Sequence, residues 1–335
     1  MRIQSSSDLR KLVFVSILLA IVVVSLGAYA RLTHAGLGCP DWPGCYGLVE
    51  VPKTSAQIMA AEQAFPERPV EPEKAWNEMI HRYFAGVLGL LILIIALISL
   101  KRRAQRGPLG LPILILIVVI FQAALGMWTV TMKLMPVVVM GHLLGGFTTL
   151  CLLLLLYLRL SDFRVPGGDI GLKKHFKFAV IGIFILVGQI ALGGWTSSNY
   201  AALTCAELPI CQAGWVEQMN FEHAFDLIPP EKESYEFGHL DHASRLTIHV
   251  MHRLGAIVTT LYLFWLAIRI YLQAQAPFFK NAALSLGFIL SVQVGLGISN
   301  VWFSLPLNVA VSHNVAAAML MMSLITMTYS LKRKT

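Results

Sequence analysis

At 335 residues, 56% of them hydrophobic and only 13% charged, with a mean hydropathy of +0.69, the chain is too apolar for a water-soluble domain. Such a domain carries roughly 25% charged residues. The formal net charge of +8 would suit a nucleic-acid partner, but the placement of the cations along the chain excludes that reading.

About 20 apolar residues cross a bilayer. Eight such stretches follow one another, roughly 12–31, 79–100, 109–130, 136–158, 176–195, 247–270, 281–301 and 306–330. The expected fold class is therefore an all-α integral membrane protein of eight transmembrane helices. The first stretch carries Ala28-Tyr29-Ala30, which fits a leader cleavage site, but its apolar run is long for a leader and the repeat below gives it a counterpart. It is read as a retained span.

With eight spans, the cations fall on one side. Arg2, Arg10 and Lys11 precede the first span, and Lys101, Arg102, Arg103 and Arg106 follow the second. Arg159, Arg164, Lys173, Lys174 and Lys177 lie between the fourth and fifth, Arg269 and Lys280 between the sixth and seventh, and Lys332, Arg333 and Lys334 end the chain. That side is the cytoplasm, with both termini inside. Asp8, Asp162 and Asp169 are the acidic residues expected there.

The chain also repeats itself. His81-Arg82 matches His252-Arg253, and His142 matches His313, both 171 positions on. Gln122 pairs with Gln293, and Gly126 with Gly297, at the same offset. Upstream the offset is 166, and there Leu26-Gly27 pairs with Leu192-Gly193, Cys39 with Cys205, and Cys45 with Cys211. Two halves, residues 1–165 and 166–335, are expected to form four-helix bundles related by a pseudo-two-fold axis along the membrane normal, since an even number of spans preserves orientation.

The four histidines enter inward-running spans at similar depth near the outer face. His142, for example, is six residues past Pro136, about 9 Å along a helix. Two imidazoles at one depth can clasp a haem iron in a bundle core. Ionisable groups inside a membrane are costly and mark function. Against this, a single such histidine more often bonds a backbone carbonyl. Zinc fits less well, with two histidines per half. Arg82 and Arg253 could pair with haem propionates or snorkel to lipid phosphate. Glu78 shares a helix face with His81. At the matching position stands His249, so one half has a carboxylate for acid–base work and the other has none. The alternative is an interfacial acid favoured by the helix dipole. His249 is read as an interfacial polar residue or a competitor of His252. His34 either lines a haem entrance or meets solvent. His223, His239 and His242 are expected to do no chemistry, and Cys151 to pack. Cys39/Cys45 and Cys205/Cys211 have equal spacing in outward loops, where disulfides form. A staple over each site is favoured over a redox couple.

These residues resemble the haem A synthase family over essentially the whole chain. The run "GAYARLTHAGLGCPDWPGC" (27–45) looks like that family's first outer segment, and "EMIHR", "GHLLGG", "MHRLGA" and "SHNVAA" like its four ligand regions. The run Arg31-Leu32-Thr33-His34 departs from the pattern. The resemblance implies an oxidoreductase of haem biosynthesis in the bacterial inner membrane that serves cytochrome oxidase assembly. It would oxidise the C8 methyl of haem O to the formyl of haem A by successive hydroxylations. It implies substrate haem on His81 and His142 with Glu78 as catalytic residue, and haem b on His252 and His313, all toward the periplasmic face. The implied partners are haem O, haem O synthase, an electron donor of unspecified identity and the lipid bilayer, with no nucleic acid; a homo-oligomer is left open. Two rivals share parts of this pattern. A di-haem b-type electron-transfer protein acting on quinol needs no Glu78 and usually places haems on both faces. A repeat transporter needs no haem and usually has broken spans.

Overall fold

The computed structural model describes residues 2–102, 109–165 and 169–333. Arg103, Arg106 and Lys334, counted above among the cations, lie outside the described residues, and Arg2 is described in its backbone only. The expected boundary at 165–166 falls at the edge of the second described stretch.

The described residues are helical, with no named strand. The elements are α1 (Arg2–Leu32), α2 (Ser55–Ala64), α3 (Pro72–Lys101), α4 (Gly110–Thr131), α5 (Pro136–Leu160), α6 (Phe176–Ser198), α7 (His242–Gln273), α8 (Pro277–Trp302) and α9 (Leu307–Lys332), with a 3-10 turn over Ile170–His175. Among the described residues eight of these helices, all but α2, are long and apolar enough to cross a membrane. The protein is a multi-pass membrane protein.

Helices α1, α3 and α7 start well ahead of their apolar stretches. α3 starts at Pro72 because proline at the first helical position gives up no needed hydrogen bond, and Glu73 complements the dipole there. Glu78 therefore lies within the helix, not at its mouth. α7 starts at His242 because Asp241 caps it, its carboxylate accepting from the Ser244 amide at 2.8 Å. That pair holds the Asp241 carboxyl below its usual range. Helix α2, hidden in a polar stretch, is set by a capping box: the Thr54 hydroxyl accepts from Gln57 N, and Gln57 Oε1 accepts from Thr54 N.

The chain forms two compact units. One comprises Lys11–Leu150 with Leu227–His239, the other Met1–Arg10, Cys151–Asp226 and Leu240–Thr335. In the second, α6 packs on α7, α7 on α8, α8 on α9, and α9 back on α6, which closes a four-helix ring. In the first, α3 packs on α4. Part of the second long polar stretch belongs to this first unit. Glu236 pairs with Arg68 at 2.8 Å, the Tyr235 amide donates to the Lys133 carbonyl at 3.0 Å, and Phe237 stacks on His34 at 5.3 Å.

Candidate functional site

The first outer loop is a small cap with its own core. Cys39 and Cys45 form a disulfide across six positions, both residues fully buried with Tyr46, Val51, Ala61, Ala75 and Met79. A two-residue turn closes it: Tyr46 and Gly47 both have positive φ (55° and 74°), and Cys45 and Leu48 exchange backbone hydrogen bonds. The Asp41 carboxylate accepts from the amides of Tyr46 (2.6 Å) and Gly47 (2.7 Å). Burial pushes the Tyr46 phenol up to about 12. Gly38 is needed because a Cβ there would stand 2.6 Å from the Lys74 backbone, so the loop can lie directly on α3. The second loop carries the matching disulfide, Cys205–Cys211, packed with Leu246 and Val250.

Each loop is fastened to its helix by an arginine. Arg82 Nη1 donates to the carbonyls of Asp41 (2.9 Å) and Gly44 (2.5 Å). Arg253 Nη1 donates to the carbonyls of Glu207 (2.6 Å) and Ile210, and its Nη2 to Cys205 O at 2.5 Å. Asp41 and Gly44 correspond to Glu207 and Ile210 at the loop offset of 166, so the two clamps are alike.

The Glu78 position completes the clamp. Glu78 is 6% exposed. Its Oε2 accepts from the Cys39 amide at 2.9 Å, and its Oε1 pairs with Arg82 Nη2 at 2.5 Å. In the other loop His249 takes both partners: Nε2 accepts from Arg253 Nε at 3.0 Å, and Nδ1 lies 3.4 Å from the Cys205 amide. The sequence reading left His249 ambiguous; in the structure it fills the slot of Glu78. A neutral imidazole has one acceptor nitrogen, so it cannot satisfy both donors as a carboxylate does. The shorter contact, to Arg253, is the hydrogen bond.

The four histidines share a seat. Each ring lies with Cε1 against a glycine of a neighbouring span, where a Cβ would come within 3.0 Å (Gly27 under His81), 3.4 Å (Gly126 under His142), 3.1 Å (Gly193 under His252) and 3.1 Å (Gly297 under His313). The rings of His81 and His142 face each other with centroids 6.4 Å apart at 86°. Glutamines stand beside them. Gln189 Nε2 is 3.0 Å from His252 Nδ1, and Gln293 Nε2 is 3.3 Å from His313 Nε2. Gln122 and Gln293 were visible as a repeated pair; Gln189 was missed, because its counterpart at the 166 offset is Val23 and an amide in an apolar run carries no motif. Of the remaining histidines, His34 packs on Phe237, and burial beside Arg31 holds its imidazole low. His239 packs edge-on against Tyr235, and His223 is raised by Asp226 at 3.0 Å. Cys151 is a free thiol.

A family model described as cytochrome oxidase assembly protein, COX15-CtaA, matches residues 10–325. The chain belongs to this family. Among curated members, the haem A synthase of Shewanella oneidensis is 50% identical over 320 residues, 96% of both chains. The haem A synthase of Chelativorans sp. is 26% identical over 314 residues (88% of this chain, 83% of that one), and that of Nitrosospira multiformis 25% over 347 residues (96% and 92%).

A haem fits the histidines of this COX15-CtaA member. Nitrogen–metal bonds of about 2 Å on either side, added to the two ring radii, come close to the 6.4 Å between the centroids of His81 and His142. One nitrogen of the His81 ring and one of the His142 ring meet backbone carbonyls, of Val23 and Gln122, which leaves the other nitrogen of each for a metal. Among the described residues no three His, Cys, Asp or Glu side chains converge to hold a bare ion.

Proposed function

We propose that the chain is a haem A synthase that oxidises the C8 methyl of haem O to a formyl group, through two hydroxylations and loss of water from the geminal diol. The observation that carries this reading is the glycine-seated histidine, repeated four times, with a carboxylate clamped three residues before the first and replaced by His249 before the third. The family membership and the name of the 50% identical relative support it.

In this reading residues 1–165 form the substrate half and residues 166–335 the prosthetic half, two four-helix bundles about a pseudo-two-fold axis. His81 and His142 hold haem O, which enters sideways from lipid because its farnesyl tail prefers hydrocarbon. Glu78 accepts a proton or balances positive charge as the methyl is oxidised. It is pre-organised by Cys39 N–H and Arg82, so no reorganisation is needed as charge develops. His252 and His313 hold haem b, which supplies one-electron transfer when bound. Arg82 and Arg253 hold the caps and set a positive edge where propionates would lie. The disulfides staple the caps. Both termini are cytoplasmic and the sites face the periplasm of a bacterial inner membrane. Haem O synthase and an electron donor are the partners expected.

The test is haem extraction with mass analysis from membranes of cells that make haem O, with and without the protein. Haem A formed only in its presence supports the reading. Unchanged haem O, with folded protein and adequate reductant, would overturn it in favour of electron transfer alone.

A further inference from the structure

Although the two halves are clamped alike, they differ beside the first histidine of each pair. In the second half Gln189, one turn before the glycine seat, sends Nε2 to within 3.0 Å of His252 Nδ1 and 3.0 Å of the His252 carbonyl oxygen. That contact engages Nδ1. Room for the glutamine is made by Gly255, where a Cβ would collide with Gln189 Oε1. In the first half the two matching positions are Val23 and Phe84. Both parts of the device are missing together, and the His81 ring meets only the backbone of Val23 there, with no side chain among the described residues holding it. Gln122 lies against Gly145 in the same manner, but its side-chain Nε2 has no partner among the described residues, and it is the Gln122 backbone that meets His142. Among the four histidines, His252 is the one whose Nδ1 a side chain holds.

We propose that Gln189 is a positioning residue that makes the second-half haem site a retaining one, by holding the His252 ring through Nδ1, and that Val23 and Phe84 leave the His81 site exchangeable. A substrate haem must leave after each turnover, whereas a prosthetic haem must stay. The outer partner of a ligating histidine fixes ring orientation and raises its basicity, and its loss typically costs 10–100-fold in metal affinity. With iron on Nε2, Nδ1 carries the ring proton and becomes a donor. Gln189 Oε1, buried and without a partner among the described residues, is then the acceptor, brought round by a half-turn of the carboxamide that gives up the bond from Nε2 to the His252 carbonyl. The inference rests on the reading that His252 and His313 bind haem b.

The test follows haem b transfer from the purified full-length protein to excess apomyoglobin, with the midpoint potential and the low-spin haem resonance signal recorded on the same samples. Gln189→Val installs the first-half residue. Gly255→Ala displaces the untouched glutamine and strengthens the helix, so it guards against a folding artefact. Gln189→Glu keeps an acceptor oxygen. Transfer about tenfold faster or more in the first two variants, with a shifted low-spin signal, and near-native retention in Gln189→Glu are expected. Transfer within about twofold of wild type in both Gln189→Val and Gly255→Ala, a change too small for a lost outer partner, with an unshifted signal, would overturn the proposal. A His252→Ala protein that still keeps its haem b would instead overturn the underlying assignment of haem b to this half.

Discussion

Replacing Glu78 tests whether its carboxylate is chemistry, clamp or both, because the protein contains a natural substitute in His249. Glu78 satisfies two buried donors, the Cys39 amide at 2.9 Å and Arg82 at 2.5 Å. Removing one partner of a buried ion pair costs roughly 3–5 kcal/mol, chiefly for the charge left behind. Arg82 retains the loop carbonyls, so Glu78→Ala should fall near the lower figure, about 3 kcal/mol. Glu78→Gln keeps one acceptor and faces the other donor with an amide, losing one charged hydrogen bond of about 1.5–3 kcal/mol. Glu78→His copies the second half, where an imidazole accepts from the arginine at 3.0 Å, and should restore part of the loss. Thermal melting in detergent then ranks the stabilities wild type, His, Gln, Ala. Haem extraction is expected to show haem O bound by the Gln and His variants and haem A made by neither. If the clamp were the whole role, haem A yield would follow melting temperature. Haem A at the wild-type rate in either variant would refute the carboxylate's part in the chemistry.

Other outcomes follow from the same contacts. Arg82→Met strands a buried carboxylate, whereas Arg253→Met strands a neutral imidazole, so the first should lower the melting temperature more, by about 2 kcal/mol in stability; paired melts of the two variants check this. Reducing or replacing Cys39 and Cys45 opens a loop closed across six positions and should cost about 2 kcal/mol by chain entropy. It should also lower haem A yield, since that loop presents the amide to Glu78 and the carbonyls to Arg82; melts with and without reductant give the first value. Asp241→Ala removes the α7 cap at a cost of about 1 kcal/mol. The Asp241 carboxyl is held below its usual range, so its contribution is present above about pH 4 and is lost as pH falls through the lowered value; the wild-type and Ala melting curves should converge in acid.

Much of the fold was legible because the bilayer imposes a length on apolar runs that no other environment does. The span count, the histidine pairs and the cysteine pairs could be read from spacing alone. Helix ends could not be read that way, since Pro72 and Asp241 extend α3 and α7 through polar residues that hydropathy ignores. The capping box Thr54–Gln57 was available as a signal for α2 and went unused. Long-range partners were beyond reach. Glu78 meets an amide 39 positions away, and the pairing of Glu236 with Arg68 spans 168, so the sequence gives their types but no adjacency. The carbonyls of Asp41 and Gly44 that Arg82 meets lie 41 and 38 positions away and were equally out of reach.

Repetition turns these contacts into a controlled comparison. Where two positions share partners, a difference in residue isolates chemistry from scaffolding. The arginines, the disulfides, the glycine seats and the Nη1-bound loop carbonyls recur in both halves, so they build the frame and do not distinguish the two sites. Beside the first histidine of each pair the differences are Glu78 against His249 on the cap side, and Val23 with Phe84 against Gln189 with Gly255 on the membrane side. The half with the carboxylate has a histidine that no side chain holds, and the half whose histidine Gln189 holds lacks the carboxylate. A site that turns over a substrate haem needs proton chemistry and release, and a site that keeps its haem needs neither. Exchanging the membrane-side difference, rather than Glu78, is therefore the change that should move haem retention from one half to the other. The quadruple variant Val23→Gln, Phe84→Gly, Gln189→Val, Gly255→Ala should retain haem in the first half and shed it from the second, read by haem mass analysis of the purified protein. Unchanged occupancy of both halves would mean that retention is set elsewhere in the frame.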